Sequence, residues 1–306
     1  MVALDAAYAS CLRDAQAHYE NFPVASLLVP GDMRRHVAAV YAFARAADDF
    51  ADEGDRPVEA RHALLDGWLR RLRHAAASEQ AGTQPQPGEP PHTVAIFLAI
   101  GASIRARDLP VQLFEDLVSA FRQDVTVTRY SDWEALFDYC RRSANPVGRL
   151  VLRIAGYKDA RLDGWSDAIC TALQLTNFWQ DLSVDFARGR LYLPADERLL
   201  HGALEEHLAE GRMTPAWRAA LSGAASRTRG LFAAGHPLCD AVSGRLRYEL
   251  RATWLGGTRM LDRLERIGFD VSRQRPTLGA LDAPWFAWRL LTWRSRRAAL
   301  QGPPIL

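Results

Sequence analysis

The sequence predicts an all-α protein. Three observations point there. Apolar residues recur with helical spacing from end to end of the 306-residue chain. No segment shows the alternating apolar and polar β-branched run of a strand. Two strongly apolar segments, 36–54 and 168–186, each carry their polar side chains at helical intervals, which makes sense only if both are helices.

Taken in order, the periodicity places helices at about 4–20, 31–53, 57–77, 92–106, 110–123, 131–141, 143–156, 162–187, 214–234, 237–267 and 283–298. Residues 78–91, SEQAGTQPQPGEPP, interrupt the pattern with four prolines and two glycines, which exclude a helix. The pattern looks alike on both sides, so this segment reads as a mobile surface loop within a single domain covering 1–306. Residues 283–306 form a final helix and tail. No solenoid repeat is visible.

Composition narrows the function. Basic and acidic side chains number 38 and 36, a formal net charge of +2, which excludes nucleic acid as the main partner. Cys11, Cys140, Cys170 and Cys239 are scattered without a C-x-x-C pair, implying a reduced compartment and neither a zinc site nor a disulfide framework. The start MVALDAAYASCLRDAQAHYENFP has no basic segment followed by an apolar run, so no signal peptide is expected. No stretch reaches the roughly 18 uninterrupted apolar residues of a membrane span. The expected location is cytoplasmic, soluble or peripheral at the inner membrane surface.

The chemistry lies in the two apolar segments. In HVAAVYAFARAADDFADEG, Tyr41, Arg45, Asp48 and Asp52 sit at i, i+4, i+7 and i+11 and form one stripe. The helix is apolar nearly all round and should be largely buried. Unpaired buried carboxylates cost several kcal/mol, so the stripe must meet cations or a wet cavity. In AICTALQLTNFWQDLSVDF, Gln174, Asn177, Asp181 and Asp185 sit at i, i+3, i+7 and i+11. Two such stripes imply a shared polar site. All the donors are hard oxygens, which suits Mg²⁺ or Mn²⁺, and Mg²⁺ commonly completes its shell with substrate phosphates. The pattern therefore fits a diphosphate held by bridging metals. Asp49 and Glu53 flank the first stripe and read equally as supporting groups or as surface. A single D-x-x-x-D is more often two solvated acids, but its recurrence in two apolar helices reverses that reading.

From about residue 8 to about residue 270 the chain resembles the squalene/phytoene synthase family. The resemblance rests on His18 with Asn21–Phe22, on the Tyr41-x3-Arg45-x2-Asp48-Asp49-x2-Asp52 block, on Tyr139–Cys140, and on LQLTNFWQDLSVDFARGRLYLP. Within the family, ENFPVAS and YCRRSANPVGRLVL are similar to the hydroxysqualene synthases of the bacterial hopanoid pathway, which convert presqualene diphosphate to hydroxysqualene. The resemblance implies an isoprenoid synthase fold, a helical bundle around a central active-site cavity. It implies Mg²⁺ bound by Asp48, Asp52, Asn177, Asp181 and Asp185. It implies that Tyr41, Arg45, Tyr139 and Tyr248 act at the reaction centre. His18, Phe22, Gln174, Arg188, Arg190 and Tyr192 would hold the isoprenoid diphosphate, the last three from the G-R-x-Y-L-P flap.

Two departures stand out. Ser143–Ala144–Asn145–Pro146–Val147–Gly148 replaces the small turn that relatives carry after their Tyr-Cys, and should reshape the cavity floor. Ser183 and Val184 stand where relatives often carry another acid. No G-x-G-x-x-G follows a predicted strand, so no dinucleotide fold is indicated. Squalene synthases of the family use NADPH without one. It is the resemblance to the hydroxysqualene branch, whose product is made without reduction, that implies no NADPH. The first rival is head-to-head condensation of two prenyl diphosphates on the same metals. A non-catalytic scaffold is the second, but it would be expected to lose the four aspartates.

Weaker signals remain. Arg34, Arg35, Arg141, Arg142, Arg149 and Arg153 are further diphosphate candidates that read better as surface arginines. PWFAWRLLTWRSRRAAL sets Trp285, Trp288 and Trp293 among Arg289, Arg294, Arg296 and Arg297. That pattern fits a helix docked on the bundle or one lying at a membrane surface. Peripheral membrane contact and pathway partner enzymes are both compatible with a water-insoluble C30 product.

Overall fold

The computed structural model describes residues 4–17, 30–78, 85 and 87–294. Among them every regular element is helical, and the one non-helical pairing is an isolated parallel bridge between Arg129 and Leu191. His18, Phe22 and the ENFPVAS segment lie outside the described residues, as do Arg296 and Arg297.

The first helices are α1 (Leu4–Ala17), α2 (Gly31–Asp52), α3 (Val58–Ala77), α4 (Thr93–Arg107) and α5 (Val111–Asp124). Then come α6 (Trp133–Ser143), α7 (Asn145–Ile154), α8 (Ala160–Gln180), α9 (Leu182–Ala187), α10 (Ala195–His201) and α11 (Glu205–Ala209). Last are α12 (Pro215–Gly235), α13 (Leu238–Ala241), α14 (Gly244–Arg266), a 3₁₀ turn at Ala280–Asp282 and α15 (Ala283–Leu291). The chain divides into two compact units, Met1–Thr126 with Pro146–Lys158, and Val127–Asn145 with Asp159–Leu306.

In the first unit α2 packs against α1, α3, α4 and α5. An aromatic cluster fills the space between them. Phe43 meets Phe114 edge-on at 5.5 Å, and Trp68 meets Phe97 at 4.5 Å. The Trp68 indole donates to the Phe43 carbonyl at 3.2 Å, so its one polar atom is satisfied in the core. Gly101 lets α4 lie directly on α3, since a Cβ there would stand 2.4 Å from the Ala75 carbonyl oxygen. Of the loop expected at 78–91, residues 79–84 and 86 lie outside the described residues; Glu89, near its end, pairs with Arg71 at 3.0 Å.

In the second unit α8 packs against α6, α12, α13 and α14. Gly235 gives α12 its close approach, because a Cβ would stand 2.7 Å from the Trp165 carbonyl oxygen. Side-chain caps set three helix starts: Asp132 accepts from Ala135 N, Asp159 from Arg161 N, and Thr214 from Trp217 N.

The structure corrects the predicted elements in four places. The helix expected over 162–187 is α8 and α9, interrupted at Asp181 (φ −99°, ψ 8°). The helix expected over 237–267 is α13 and α14, because Val242 is extended (φ −91°, ψ 167°). α10 and α11, of 7 and 5 residues, were not foreseen; helices this short show no legible periodicity. α15 ends at Leu291, short of the expected 298, and 295–306 lie outside the described residues.

Candidate active site

The first stripe runs along the C-terminal half of α2, in the first unit. Its Arg45 guanidinium gathers acids from its own helix: Asp48 at 3.7 Å, Asp49 at 2.8 Å and Glu53 at 3.2 Å. Asp48, Asp49 and Glu53 thus cluster about one guanidinium. The buried Nε of Arg45 has no hydrogen-bond partner among the described residues, which leaves a donor for an oxygen ligand.

Burial of this stripe is shallower than its apolar surroundings predict. Asp52 is exposed, and Tyr41, Arg45 and Asp48 are half-buried. The core side of α2 is taken by Phe43, Ala47 and Phe50, which turns the polar stripe outward from that core. Burial raises the Tyr41 phenol above its ordinary value of 10.0. Arg45 lowers it in part, and Asp49, Asp48 and Asp14 raise it further, so Tyr41 keeps its proton and remains a donor. Asp14, on α1, escaped the sequence reading. It pairs with His92 at 3.0 Å, and a lone acid on an amphipathic helix carries no signal of such a role.

The second stripe spans the junction of α8 and α9, in the second unit. Asn177 Nδ2 donates to Asp181 Oδ2 at 2.7 Å. Arg275 adds a two-pronged contact, Nε to Asp181 Oδ1 and Nη2 to Oδ2, the latter at 3.1 Å. The irregular segment carrying Arg275 is tied down on both sides of it. Gln180 Nε2 donates to the Pro276 carbonyl at 2.7 Å, and Ser183 Oγ to the Val271 carbonyl at 3.2 Å. Arg275 was also missed, since it sits beyond the last long helix, where there is no periodicity to read. Gln174 and Asp185 are half-buried along the same run.

Asp185 also anchors the turn that follows, its carbonyl accepting from Arg190 N at 2.8 Å. Gly189 supplies the left-handed backbone of that turn, at φ 83°. Arg129 Nη1 donates to the Gly189 carbonyl at 2.6 Å, and Leu191 N to the Thr128 carbonyl at 2.9 Å. The G-R-x-Y-L-P flap is thereby stitched to residues 128–130. It presents Arg188 exposed, Arg190 half-buried and Tyr192 buried.

Tyr192 stacks on Phe178 at 3.7 Å, with Tyr130 at 5.9 Å and Tyr139 at 6.2 Å. Thus Tyr139 and Tyr192, far apart in sequence, share one aromatic cluster. Asn145 is buried and accepts from Thr171 Oγ1 at 2.9 Å. Tyr248, on α14, is half-exposed beneath Arg251. Arg141 and Arg142 both pair with Asp138, and Arg153 donates to the Tyr157 carbonyl, so these three arginines are engaged structurally.

Within neither unit do three His, Cys, Asp or Glu side chains converge to hold a metal, among the described residues. The donors nonetheless fit a hard cation. They are carboxylate and amide oxygens, and Asp181 already attracts a guanidinium.

The family model described as squalene/phytoene synthase matches residues 15–282. The chain belongs to the squalene/phytoene synthase family. Among relatives, the hydroxysqualene synthase of Rhodopseudomonas palustris is 37% identical over 240 residues, covering 76% of this chain and 75% of that protein. The hydroxysqualene synthase of Zymomonas mobilis is 37% identical over 226 residues, covering 73% and 71%. The crystal structure of squalene synthase HpnC from Alicyclobacillus acidocaldarius aligns with a TM-score of 0.78 at 38% identity, covering 87% of this chain and 95% of that one. This family member is an isoprenoid synthase with the all-α isoprenoid synthase fold.

Proposed function

We propose that this family member is a hydroxysqualene synthase: it ionises presqualene diphosphate and quenches the rearranged cation with water, releasing hydroxysqualene and diphosphate. The observation that carries this reading is 37% identity to two hydroxysqualene synthases over about three-quarters of the chain.

Asp48 and Asp52 within the first unit, and Asn177, Asp181 and Asp185 within the second, are each proposed to ligate Mg²⁺, with Mn²⁺ as an alternative; a bound metal would neutralise charge on the departing diphosphate. Arg45, beside the first pair, and Arg188 and Arg190, after the second set, are proposed guanidinium donors to diphosphate oxygens. Tyr41, kept protonated by burial and its acidic neighbours, donates a further hydrogen bond. Tyr139 and Tyr192, with their aromatic neighbours, are proposed to line the path of the carbocation, where ring faces favour positive charge. Gln174 and Tyr248 complete the proposed substrate contacts, together with His18 and Phe22. No reductant enters the reaction, because water supplies the final bond.

The test is incubation with presqualene diphosphate and Mg²⁺, without NADPH, in ¹⁸O-labelled water. A C30 alcohol carrying the label is expected. The second reading, head-to-head condensation of two prenyl diphosphates, draws support from the likeness to the squalene synthase HpnC of Alicyclobacillus acidocaldarius. It prevails if presqualene diphosphate is ignored while two molecules of farnesyl diphosphate are consumed.

A further inference from the structure

The last described helix, α15, is apolar on two faces, and its packing determines which one is left outside. On the inner face, Trp293, just past the helix, stacks on His236 at 4.9 Å and donates through Nε1 to Asp240 at 3.0 Å. Trp285 lies under the Arg259 guanidinium at 4.7 Å. These contacts hold the helix in one rotation.

The outer face then shows Leu281, Trp288 and Leu291, which are 96%, 57% and 88% exposed. They stand at i, i+7 and i+10 across the 3₁₀ turn and α15 and run along one side, with half-buried Trp285 at the edge where that side turns inward. Pro284 and Ala287 between them are exposed as well. A stripe of large apolar side chains held outward by specific inward contacts marks an interaction surface.

Charge identifies its occupant. Arg289 and Arg294 are exposed beside the stripe. From Ala283 to Leu306 the sequence contains four arginines and no acid. A second copy of this chain, meeting the stripe about a two-fold axis, would set these arginines against themselves. A bilayer with anionic headgroups meets both features, accepting the apolar stripe below and the arginines above. α15 has 9 residues, and no helix among the described residues is long and apolar enough to cross a membrane. At 1.5 Å per residue α15 extends about 13 Å, against a hydrocarbon core of about 30 Å.

We propose that Leu281, Trp288 and Leu291, flanked by Arg289 and Arg294, form a peripheral anchor that lies in the surface of an anionic bilayer.

The full chain would be mixed with vesicles of phosphatidylcholine alone, or of phosphatidylcholine with phosphatidylglycerol, and sedimented. Binding to the anionic vesicles is expected to be at least about ten-fold tighter, and to weaken with salt. L281S/W288S/L291S should lose at least about ten-fold in that binding. R289Q/R294Q should lose most of the preference for anionic vesicles. Tryptophan quenching by spin-labelled lipid reads the same contact in the unaltered chain, so the result does not depend on the triple variant folding. Absence of quenching, or vesicle binding unchanged by the substitutions, overturns the proposal. So does a wild-type dimer that the triple variant converts to monomer, which would assign the face to a second copy.

Discussion

Asp181 is held by two partners at once, the Asn177 amide and the Arg275 guanidinium. Arg275 is half-exposed, so its ion pair adds at most about 1 kcal/mol to stability. Asp181→Ala should therefore melt close to the wild type yet lose turnover, as should Asp48→Ala, Asp52→Ala and Asp185→Ala. Near wild-type rates in any of these four would contradict the proposed ligand set. His36 gives a second test at this scale. It is buried between α1, α2 and α4, with Ser103 Oγ 2.9 Å from Nδ1 and the Tyr8 hydroxyl beside it. Burial first, then the charges of Arg107 and Arg35, lower its pKa from 6.5 to about 4, with Asp32 opposing. The folded protein thus resists a proton that the unfolded chain accepts below about 6.5. Stability is fully present above that pH and declines as pH falls toward about 4. Thermal melts at stepwise lower pH should show this decline, and His36→Gln should flatten it. His36 is unremarkable in the sequence, since an isolated histidine on an apolar helix reveals neither its partners nor its charge.

At the scale of elements, the long helices were legible, while their interruptions and the short α10 and α11 were not. α8 and α9 were read as one helix because apolar spacing runs unbroken through Asp181, and the main-chain bond from Asp185 N to the Asp181 carbonyl, at 2.8 Å, nearly preserves the helical path. The polar stripe survives the interruption for the same reason. Close approaches were equally hidden. Gly101 looks like a weak point in an otherwise apolar helix, yet it is where α4 touches the α3 backbone. Gly101→Ala should push the two helices apart and cost about 1–3 kcal/mol, as overpacking typically does. A denaturant melt should register the loss, and an unchanged midpoint would show that α3 and α4 yield without cost.

For the molecule as a whole, the expected outcome is that excess EDTA abolishes turnover and Mg²⁺ restores it. Far-UV circular dichroism should stay unchanged throughout, since the buried residues of α2 and α8 are mostly apolar. Full activity in excess chelator would remove the metal from the proposed reaction. The division into two compact units was not read from the sequence, because residues 127–145 and 146–158 cross over between them with no change in composition. The family model spans both units, so membership concerns the chain as a whole.

The all-α class, the family and the two carboxylate stripes follow from the chain alone. Helical spacing is a local property, and motifs such as N-x-x-x-D-x-x-x-D with G-R-x-Y-L-P are contiguous. Partnership is not local. That Arg275 reaches Asp181 across 94 positions, that Tyr139 and Tyr192 share a cluster with Phe178, and that α15 faces outward with leucine and tryptophan all depend on how distant segments pack. The same holds for the depth of the first stripe. Its composition predicted burial, but Phe43, Ala47 and Phe50 take the core side of α2 and leave Asp52 in solvent. Which face of an apolar helix is covered is decided by what packs against it, and no single segment carries that information.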